Sequence, residues 1–210
     1  MSVDLVQGSP EWLRARSGSL GASQIADVMA KTRTGVSASR ANLLATLVIE
    51  RLTGKPKPTY TNAAMARGTQ LEPDARDLYA FMVDVPVVQV GLVPHPTIAR
   101  SHASPDGLVG CSGLVEIKCP GESAHLATLM SSKMDRAYYF QAAWQMACTG
   151  RQWVDLVSYH PEFPAELQLY VERFRRDDAM IAELETAARV FLAEVEATVA
   201  ELRRKFKLAA

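Results

Sequence analysis

A change of pattern in the middle of this sequence restricts the fold more than any other feature. The segment 85–118 is rich in β-branched side chains and is interrupted by prolines and by an Asp106-Gly107 turn. Short alternating stretches at 85–93, 97–103 and 114–118 predict strands of an antiparallel meander. Because helical patterns precede and follow this segment, we predict an α/β (α+β) fold with a central mixed β-sheet flanked by helices.

The helices that precede the meander begin and end at characteristic residues. Ser9, followed by Pro10, and Ser23 are typical helix N-caps. A longer helix is predicted to start at Ser37 or Ser39 and to end at Gly54.

Two further N-terminal segments carry clear signals. The polar stretch 31–37 contains a glycine and is predicted to be a mobile loop. A helix is predicted from 61 to about 82, with a kink or a break at Pro73, because proline removes a helical hydrogen bond.

After the meander, helices are predicted at 123–132 and 136–148, and strands at 153–159 and 166–174. A long amphipathic helix is predicted at 177–206. Its apolar face should consist of Ile181, Leu184, Ala188, Phe191, Leu192, Val195 and Val199.

Length and composition indicate one globular domain, which we place at 1–206, and the last four residues, 207–210, resemble a vector-derived tail. A hydrophobic content of 48% and a charged content of 22% exclude a disordered chain. The formal net charge of zero argues against a protein that coats nucleic acid through bulk positive charge. Residues 1–70 nevertheless carry nine Lys and Arg against four Asp and Glu, so basic side chains are concentrated there.

The cysteines, histidines and apolar runs bear on location and metal chemistry. Three cysteines cannot all pair and form no CxxC motif, which is typical of a reducing compartment. No apolar run is as long as a membrane span, and we expect a cytoplasmic protein without a membrane partner. His95 and His102 have no third ligand nearby in sequence, so we expect them at the surface or just outside the site.

The segment with the most chemical information joins Ser104-Pro-Asp-Gly-Leu to Val115-Glu-Ile-Lys-Cys-Pro. Glu116 and Lys118 are two residues apart on a predicted strand, so their side chains lie on the same face. A hairpin would bring the turn residue Asp106 beside them. Two carboxylates and a lysine suit phosphodiester hydrolysis, because the carboxylates bind Mg²⁺ and the lysine orients water or neutralises charge. An ordinary Asp-Gly turn beside a solvated strand is the alternative interpretation.

Four motifs in order extend this pattern. They are Arg16-Ser-Gly-Ser-Leu-Gly-Ala-Ser23, Gly68-Thr-Gln-Leu-Glu-Pro-Asp-Ala-Arg76, Pro105-Asp106 followed after nine residues by Glu116-x-Lys118, and Ala137-Tyr-Tyr-Phe-Gln141. The third is the PD-(D/E)xK nuclease signature. Together, over residues 9–174, they resemble the phage lambda exonuclease and YqaJ viral recombinase family, which implies a restriction-endonuclease-like core.

For the metal site, the resemblance implies that Asp106, Glu116 and the main-chain carbonyl of Ile117 are ligands, with Glu72 near a second ion. It implies two Mg²⁺ ions, with Mn²⁺ as a substitute. From the residues alone, Glu72 could equally be an ordinary acid in a helix.

For the reaction, the resemblance implies that Lys118 is the catalytic lysine. It also implies that Gln141 holds the attacking water or this lysine. On an amphipathic helix Gln141 could instead be an ordinary polar residue, since Gln145 lies one turn further on.

For the substrate, the resemblance implies 5′→3′ degradation of linear double-stranded DNA from a 5′-phosphorylated end. Mononucleotides would be released, and a 3′ single-stranded overhang would remain. Arg16, Ser23 and Ser104 hold the matching positions of a phosphate pocket, close to Lys118, and their side chains are suitable donors. A surface arginine and a helix-capping serine are the alternatives.

Two positions match contacts to the duplex itself. Arg33 matches an arginine that reaches into a groove, and Met65 matches an apolar wedge between bases. A solvated arginine and a core methionine are the alternatives.

The resemblance also implies a ring-shaped homotrimer threaded by DNA, a single-strand annealing protein as partner, and a phage or prophage origin in a bacterial host. An endonuclease or junction resolvase of the same fold is the nearest alternative. A catalytically inactive DNA-end-binding protein is a more distant one.

Overall fold

A five-stranded mixed sheet lies at the centre of the computed structural model, which describes residues 5–33, 35–57 and 62–208. In chain order the strands are β1 (Leu20–Gly21), β2 (Lys31–Thr32), β3 (Gly35–Val36), β4 (Val87–Val88), β5 (Val93–Pro94), β6 (Ser101–Ala103), β7 (Gly107–Val109), β8 (Gly113–Lys118), β9 (Trp153–Tyr159) and β10 (Leu169–Arg175). The helices are α1 (Pro10–Arg16), α2 (Ile25–Met29), α3 (Ala38–Thr53), α4 (Ala63–Val83), α5 (Glu122–Ser131), α6 (Arg136–Thr149) and α7 (Asp178–Phe206).

The central sheet has the strand order β10-β9-β8-β7-β4. Strands β8 and β9 run parallel, and the other neighbours are antiparallel. Helices α5 and α6 lie between the two parallel strands in sequence, as a parallel crossover requires. The predicted mixed sheet with flanking helices is therefore confirmed.

Helix α7 supplies a large part of the core with one apolar face. Its buried residues are Ile181, Leu184, Ala188, Phe191, Leu192, Val195 and Val199, the set that the sequence pattern predicts. These side chains pack in one cluster with α2, α3 and α6. The Ser37 N-cap and the left-handed Gly54 C-cap of α3, with φ 66°, are also confirmed.

Two predictions about the N-terminal half are wrong, and a third is wrong in part. The stretch 31–37 is not a plain loop but contains the β2–β3 hairpin, in which Thr32 Oγ1 donates to the Gly35 carbonyl. Ser23 caps no helix, because a 3-10 turn at Ala22–Gln24 precedes α2. Helix α4 is not broken at Pro73, and Ala75 and Tyr79 beyond this proline are buried against the central sheet, whereas a kink there stays a prediction.

The middle strands are shorter than predicted and belong to two sheets. In 85–93 only Val87–Val88 pairs with β7, which is itself three residues long. Strand β6 leaves the meander and forms a separate sheet with the order β1-β6-β5. No helix in the described part of the chain is long and apolar enough to cross a membrane.

Candidate active site between two clefts

The β7–β8 hairpin brings Asp106 to the strand that carries Glu116 and Lys118. Asp106 precedes β7, and its Oδ2 accepts a hydrogen bond of 2.7 Å from the Ile117 main-chain nitrogen. Asp106 Oδ1 has no protein donor among the described residues. The convergence predicted from the hairpin length is confirmed.

Both oxygens of Glu116, a buried side chain, are held by neighbours. Glu116 Oε1 accepts from Lys118 Nζ at 2.7 Å and from Gln141 Nε2 at 2.5 Å. Glu116 Oε2 accepts from Gln145 Nε2 at 2.5 Å. Gln141 Oε1 in turn accepts from Lys118 Nζ at 3.2 Å, so strand β8 and helix α6 form one polar network.

The third predicted carboxylate, Glu72, lies on α4 and is half-buried. It pairs with Arg76, whose Nε also donates to the Asp106 main-chain carbonyl at 3.2 Å. The carboxylate oxygens of Glu72, Asp106 and Glu116 do not all lie within 4.8 Å of one another.

The charges of these groups are interdependent. Burial and the charges of Glu116 and Glu72 raise the pKa of Asp106 well above its usual value. Burial also raises the pKa of Glu72, although Arg76 opposes this shift. Burial would lower the pKa of Lys118, but Glu116 and Asp106 outweigh it and raise this pKa to about 12.

This donor set fits a divalent cation. Burial and the charges of Glu116 and Glu72 both disfavour the ionised form of Asp106, and a bound cation would offset both effects. The ligand atoms are carboxylate oxygens, which Mg²⁺ prefers. Asp106 and Glu116 are therefore the residues that would hold a metal, with Glu72 on the adjoining helix.

A small cavity on one side of these carboxylates contains the predicted phosphate pocket. Its volume is about 120 Å³, and its lining includes Arg16, Ser23 and Ser104 together with Asp106 and Glu116. The cavity thus brings together the residues predicted to bind the phosphate and those predicted to bind the metal, although some of them are far apart in sequence.

A wider cleft of about 670 Å³ is lined by the neighbouring residues Ile117 and Lys118 of the same strand. Met65, Glu72 and Lys118 are among its lining residues, and Met65 is 48% exposed, which excludes a core role for this methionine. Of the described residues predicted to contact DNA, Arg33 lines neither cavity and lies at the exposed turn of the β2–β3 hairpin.

Three residues of the site were missed by sequence reasoning. Gln145 was given no role, but it is fully buried and bonded to Glu116. Trp12 organises the phosphate cavity, because Arg16 stacks 4.2 Å from its ring and its Nε1 donates to Ser104 Oγ. His102 lines the same cavity. The four-residue spacing of Gln141 and Gln145 was the available signal for the first, because it puts both on one helix face.

Of the two positions predicted for His95 and His102, at the surface or just outside the site, the surface is wrong. All four histidines are buried, with exposed fractions of 6% or less, and they are His95, His102, His125 and His160. The ring of each is enclosed by elements from distant parts of the sequence, which local pattern does not reveal.

A second group of possible metal ligands also lines the wider cleft. Glu122, His160 and Glu162 bring one ligand atom each within 4.8 Å of the others. His160 Nε2, however, lies 2.9 Å from Arg67 Nη2 and is engaged by it.

Glu116 and Lys118 on a strand of the mixed sheet, with Asp106 and a helix glutamine beside them, are the arrangement expected of a nuclease with the restriction-endonuclease-like fold. The family model described as "YqaJ-like viral recombinase domain" matches residues 11–152. The chain belongs to this family.

Solved structures agree with this assignment. The chain is 50% identical to LHK-Exo, an alkaline exonuclease from Laribacter hongkongensis. The match between them covers 96% of this chain and 100% of that one. The TM-score is 0.89 for that structure and 0.90 for LHK-Exo in complex with dAMP. A phage-related exonuclease from Haemophilus somnus 129PT is 12% identical with a TM-score of 0.69, over 88% of this chain and 96% of that one, and supports the fold alone. No curated protein matches the chain significantly.

Proposed function

We propose that this protein is a Mg²⁺-dependent exonuclease that degrades linear double-stranded DNA in the 5′→3′ direction from 5′-phosphorylated ends. One observation carries the proposal: Arg16, Ser23 and Ser104 line the same cavity as Asp106 and Glu116. A terminal phosphate held by the first three would put the nearest phosphodiester bond beside the carboxylates. Cleavage there releases a mononucleotide and leaves a 3′ overhang.

The chain's own residues have separate tasks in this reaction. Arg16, steadied by Trp12, offers a planar pair of donors to the terminal phosphate. Lys118 neutralises charge that develops on the cleaved phosphate, and Gln141 holds this lysine in place. When bound, Mg²⁺ supplies a Lewis acid that polarises the phosphate and lowers the pKa of a water ligand. In the wider cleft, exposed Met65 is suited to separate the strands ahead of the site.

The relatives support the product of this scheme. LHK-Exo has been crystallised with dAMP, a 5′-mononucleotide, and it shares half of its residues with this chain. Release of mononucleotides is therefore the outcome we expect here.

We propose further that the protein acts as a ring-shaped homotrimer threaded by DNA and works with a single-strand annealing protein in phage-type recombination. Family membership supports this assembly. The concentration of basic residues in the N-terminal third suits a local DNA path in a chain of zero net charge. A molar mass of about three times 23.0 kDa in light scattering is the expected result, and a stable monomer contradicts it.

The activity is tested with a 5′-phosphorylated linear duplex in Mg²⁺. Wild type should release mononucleotides, whereas Asp106→Asn and Lys118→Ala should be slower by at least about 10³-fold, since each removes a charged group that would stabilise the transition state. Glu194→Gln, on the outer face of α7, is the matched control and should retain wild-type activity. Equal digestion by all variants contradicts the assignment.

The same assay separates the alternatives. Covalently closed circular DNA should stay intact, because it has no end, and its cleavage would favour an endonuclease or junction resolvase. Duplex binding without turnover in Mg²⁺ or Mn²⁺ would favour an inactive end-binding protein.

A further inference from the structure

His102, on strand β6, is a buried histidine that uses only one of its ring nitrogens within the protein. It is 3% exposed, and its Nδ1 lies 2.9 Å from Ser19 Oγ. Among the described residues, no group forms a hydrogen bond with Nε2. The side chain lines the 120 Å³ cavity that also contains Arg16, Ser23 and Ser104.

The neighbouring strand leaves space beside this free nitrogen. Strands β1 and β6 run parallel, and Gly21 pairs directly with His102. A Cβ atom at Gly21 would lie 3.2 Å from His102 Nε2 and 3.5 Å from both Arg16 Nη2 and Gln24 Oε1, and this oxygen already accepts from the Gly21 nitrogen. The absent side chain thus leaves the imidazole and the guanidinium facing the same small volume.

The ring is suited to donate a hydrogen bond to an anion without carrying a charge. Burial and the charge of Arg16 lower the pKa of His102 to about 3, so the ring is neutral near pH 7 to 8. A neutral imidazole has one N–H and one acceptor nitrogen. If the Ser19 hydroxyl donates to Nδ1, the proton lies on Nε2 and points into the cavity.

We propose that His102 Nε2–H donates a hydrogen bond to the 5′-terminal phosphate beside Arg16, and that His102 thereby selects 5′-phosphate over 5′-hydroxyl ends. This inference rests on the proposed function and names a specificity residue for it. The oxygens of a phosphate accept hydrogen bonds, so each donor that lines the cavity favours a 5′-phosphate end. A 5′-hydroxyl end would leave those donors unpaired.

The test compares single-turnover rates on linear duplexes with 5′-phosphate and 5′-hydroxyl ends. His102→Leu should lower the rate ratio between the two ends by about 10- to 100-fold, because a hydrogen bond to a charged group is lost. His102→Gln, which retains an amide donor, should keep a larger share of the ratio. Ser19→Ala removes the partner of His102 Nδ1 and should lower the rate ratio by a smaller factor. This second variant tests the proposal even if His102→Leu does not fold.

Binding supplies a readout that is independent of catalysis. In calorimetry without metal, His102→Leu should bind dAMP about 10- to 100-fold more weakly than wild type. Its binding of deoxyadenosine, which lacks the phosphate, should not change.

The matched control is His125→Leu. His125 is also buried, but Ser158 Oγ and the Leu167 carbonyl occupy both of its nitrogens. This variant should be less stable and keep the wild-type rate ratio.

Two failures have different meanings. If wild type discriminates between the ends and the His102 and Ser19 variants keep the same ratio and dAMP affinity, the role of His102 is overturned and the exonuclease proposal stands. If wild type degrades both ends equally, the 5′-phosphate requirement itself is overturned, and the role of His102 with it.

Discussion

Helices α6 and α7 pack in the same core cluster but bury different chemistry. Helix α7 buries one stripe of seven apolar side chains and leaves its other face to solvent. Helix α6 buries every residue from Gln141 to Cys148, including two glutamines that bond Glu116. An apolar stripe indicates a helix that stabilises the fold, whereas buried amides on one helix face indicate a helix that positions a site.

The polar burial in α6 has an energetic cost that α7 avoids. Gln145 Oε1 and Trp144 Nε1 are buried without a hydrogen-bond partner among the described residues. Such groups are rare in folded proteins because each forfeits its bonds to water. The hydrogen bonds from Gln141 and Gln145 to Glu116 offset part of this cost. Helix α6 therefore contributes less to stability than an apolar helix would, but it fixes the position of Glu116.

The largest expected effect is on stability and belongs to α7. Phe191→Ala should lower the free energy of unfolding by about 3–5 kcal/mol, because a fully buried ring leaves a cavity. The activity of the folded fraction should be unchanged. Urea denaturation measures the loss, and Val190→Ala, at a neighbouring position that is 62% exposed, should cost less than about 0.5 kcal/mol. Similar losses at both positions would contradict the role of the buried stripe.

The next effect is on the site and belongs to α6. Gln145→Leu should reduce activity about 10- to 100-fold, since Glu116 Oε2 loses its donor and the carboxylate is less well positioned. Mn²⁺ affinity measured by calorimetry should also fall. Met146→Leu, a volume-conserving change at the next buried residue of α6, should alter neither quantity. Wild-type activity and Mn²⁺ affinity in Gln145→Leu would remove the distinction between the two helices.

A smaller effect concerns pH. Burial lowers the pKa values of His95 and His102, so folding keeps both rings neutral. Their contribution to stability is present above the unfolded pKa of about 6.5 and is lost as the pH falls below it, because the unfolded chain then binds the protons. Each ring can contribute a slope of up to about 1.4 kcal/mol per pH unit. The free energy of unfolding at pH 7.5 and at 5.5 should therefore differ less in His102→Gln than in wild type, and an equal difference would contradict this.

The smallest effect is expected at the outer surface of α7. Arg40 pairs with Glu194 at 2.7 Å, but the Glu194 side chain is 44% exposed. Glu194→Ala should change the free energy of unfolding by less than about 1 kcal/mol, and the difference should shrink in 1 M salt. A larger change in urea denaturation would mean that polar contacts also hold α7 in place.

Features that depend on residues close in sequence were predicted correctly, whereas features that depend on distant parts of the chain were not. The apolar face of α7 and the caps of α3 depend on neighbours within a few residues, and both were predicted. Local sequence left a kink and a break at Pro73 as alternatives for α4, and packing on the central sheet decided against the break. The short β4 was overestimated because its length depends on its partner strand.

The residues of the candidate site also differ in how far apart in sequence their partners lie. Asp106, Glu116 and Lys118 are linked by one hairpin, so their convergence could be predicted from a spacing of about ten residues. Gln145 lies 29 residues from the carboxylate that it holds, and His102 lies 83 residues from Ser19. The catalytic roles of these residues, the boundaries of the domain and the nature of the last four residues stay predictions.

The sequence by itself determined the fold class, the family and the carboxylate–lysine hairpin, because local periodicity and short motifs encode them. Only the tertiary structure decided that the phosphate pocket and the carboxylates share one cavity, that His102 lines this cavity, and that Gln145 bonds Glu116. The physical reason is that a buried polar group must find its partner wherever the chain passes, and that partner is set by the packing of distant elements.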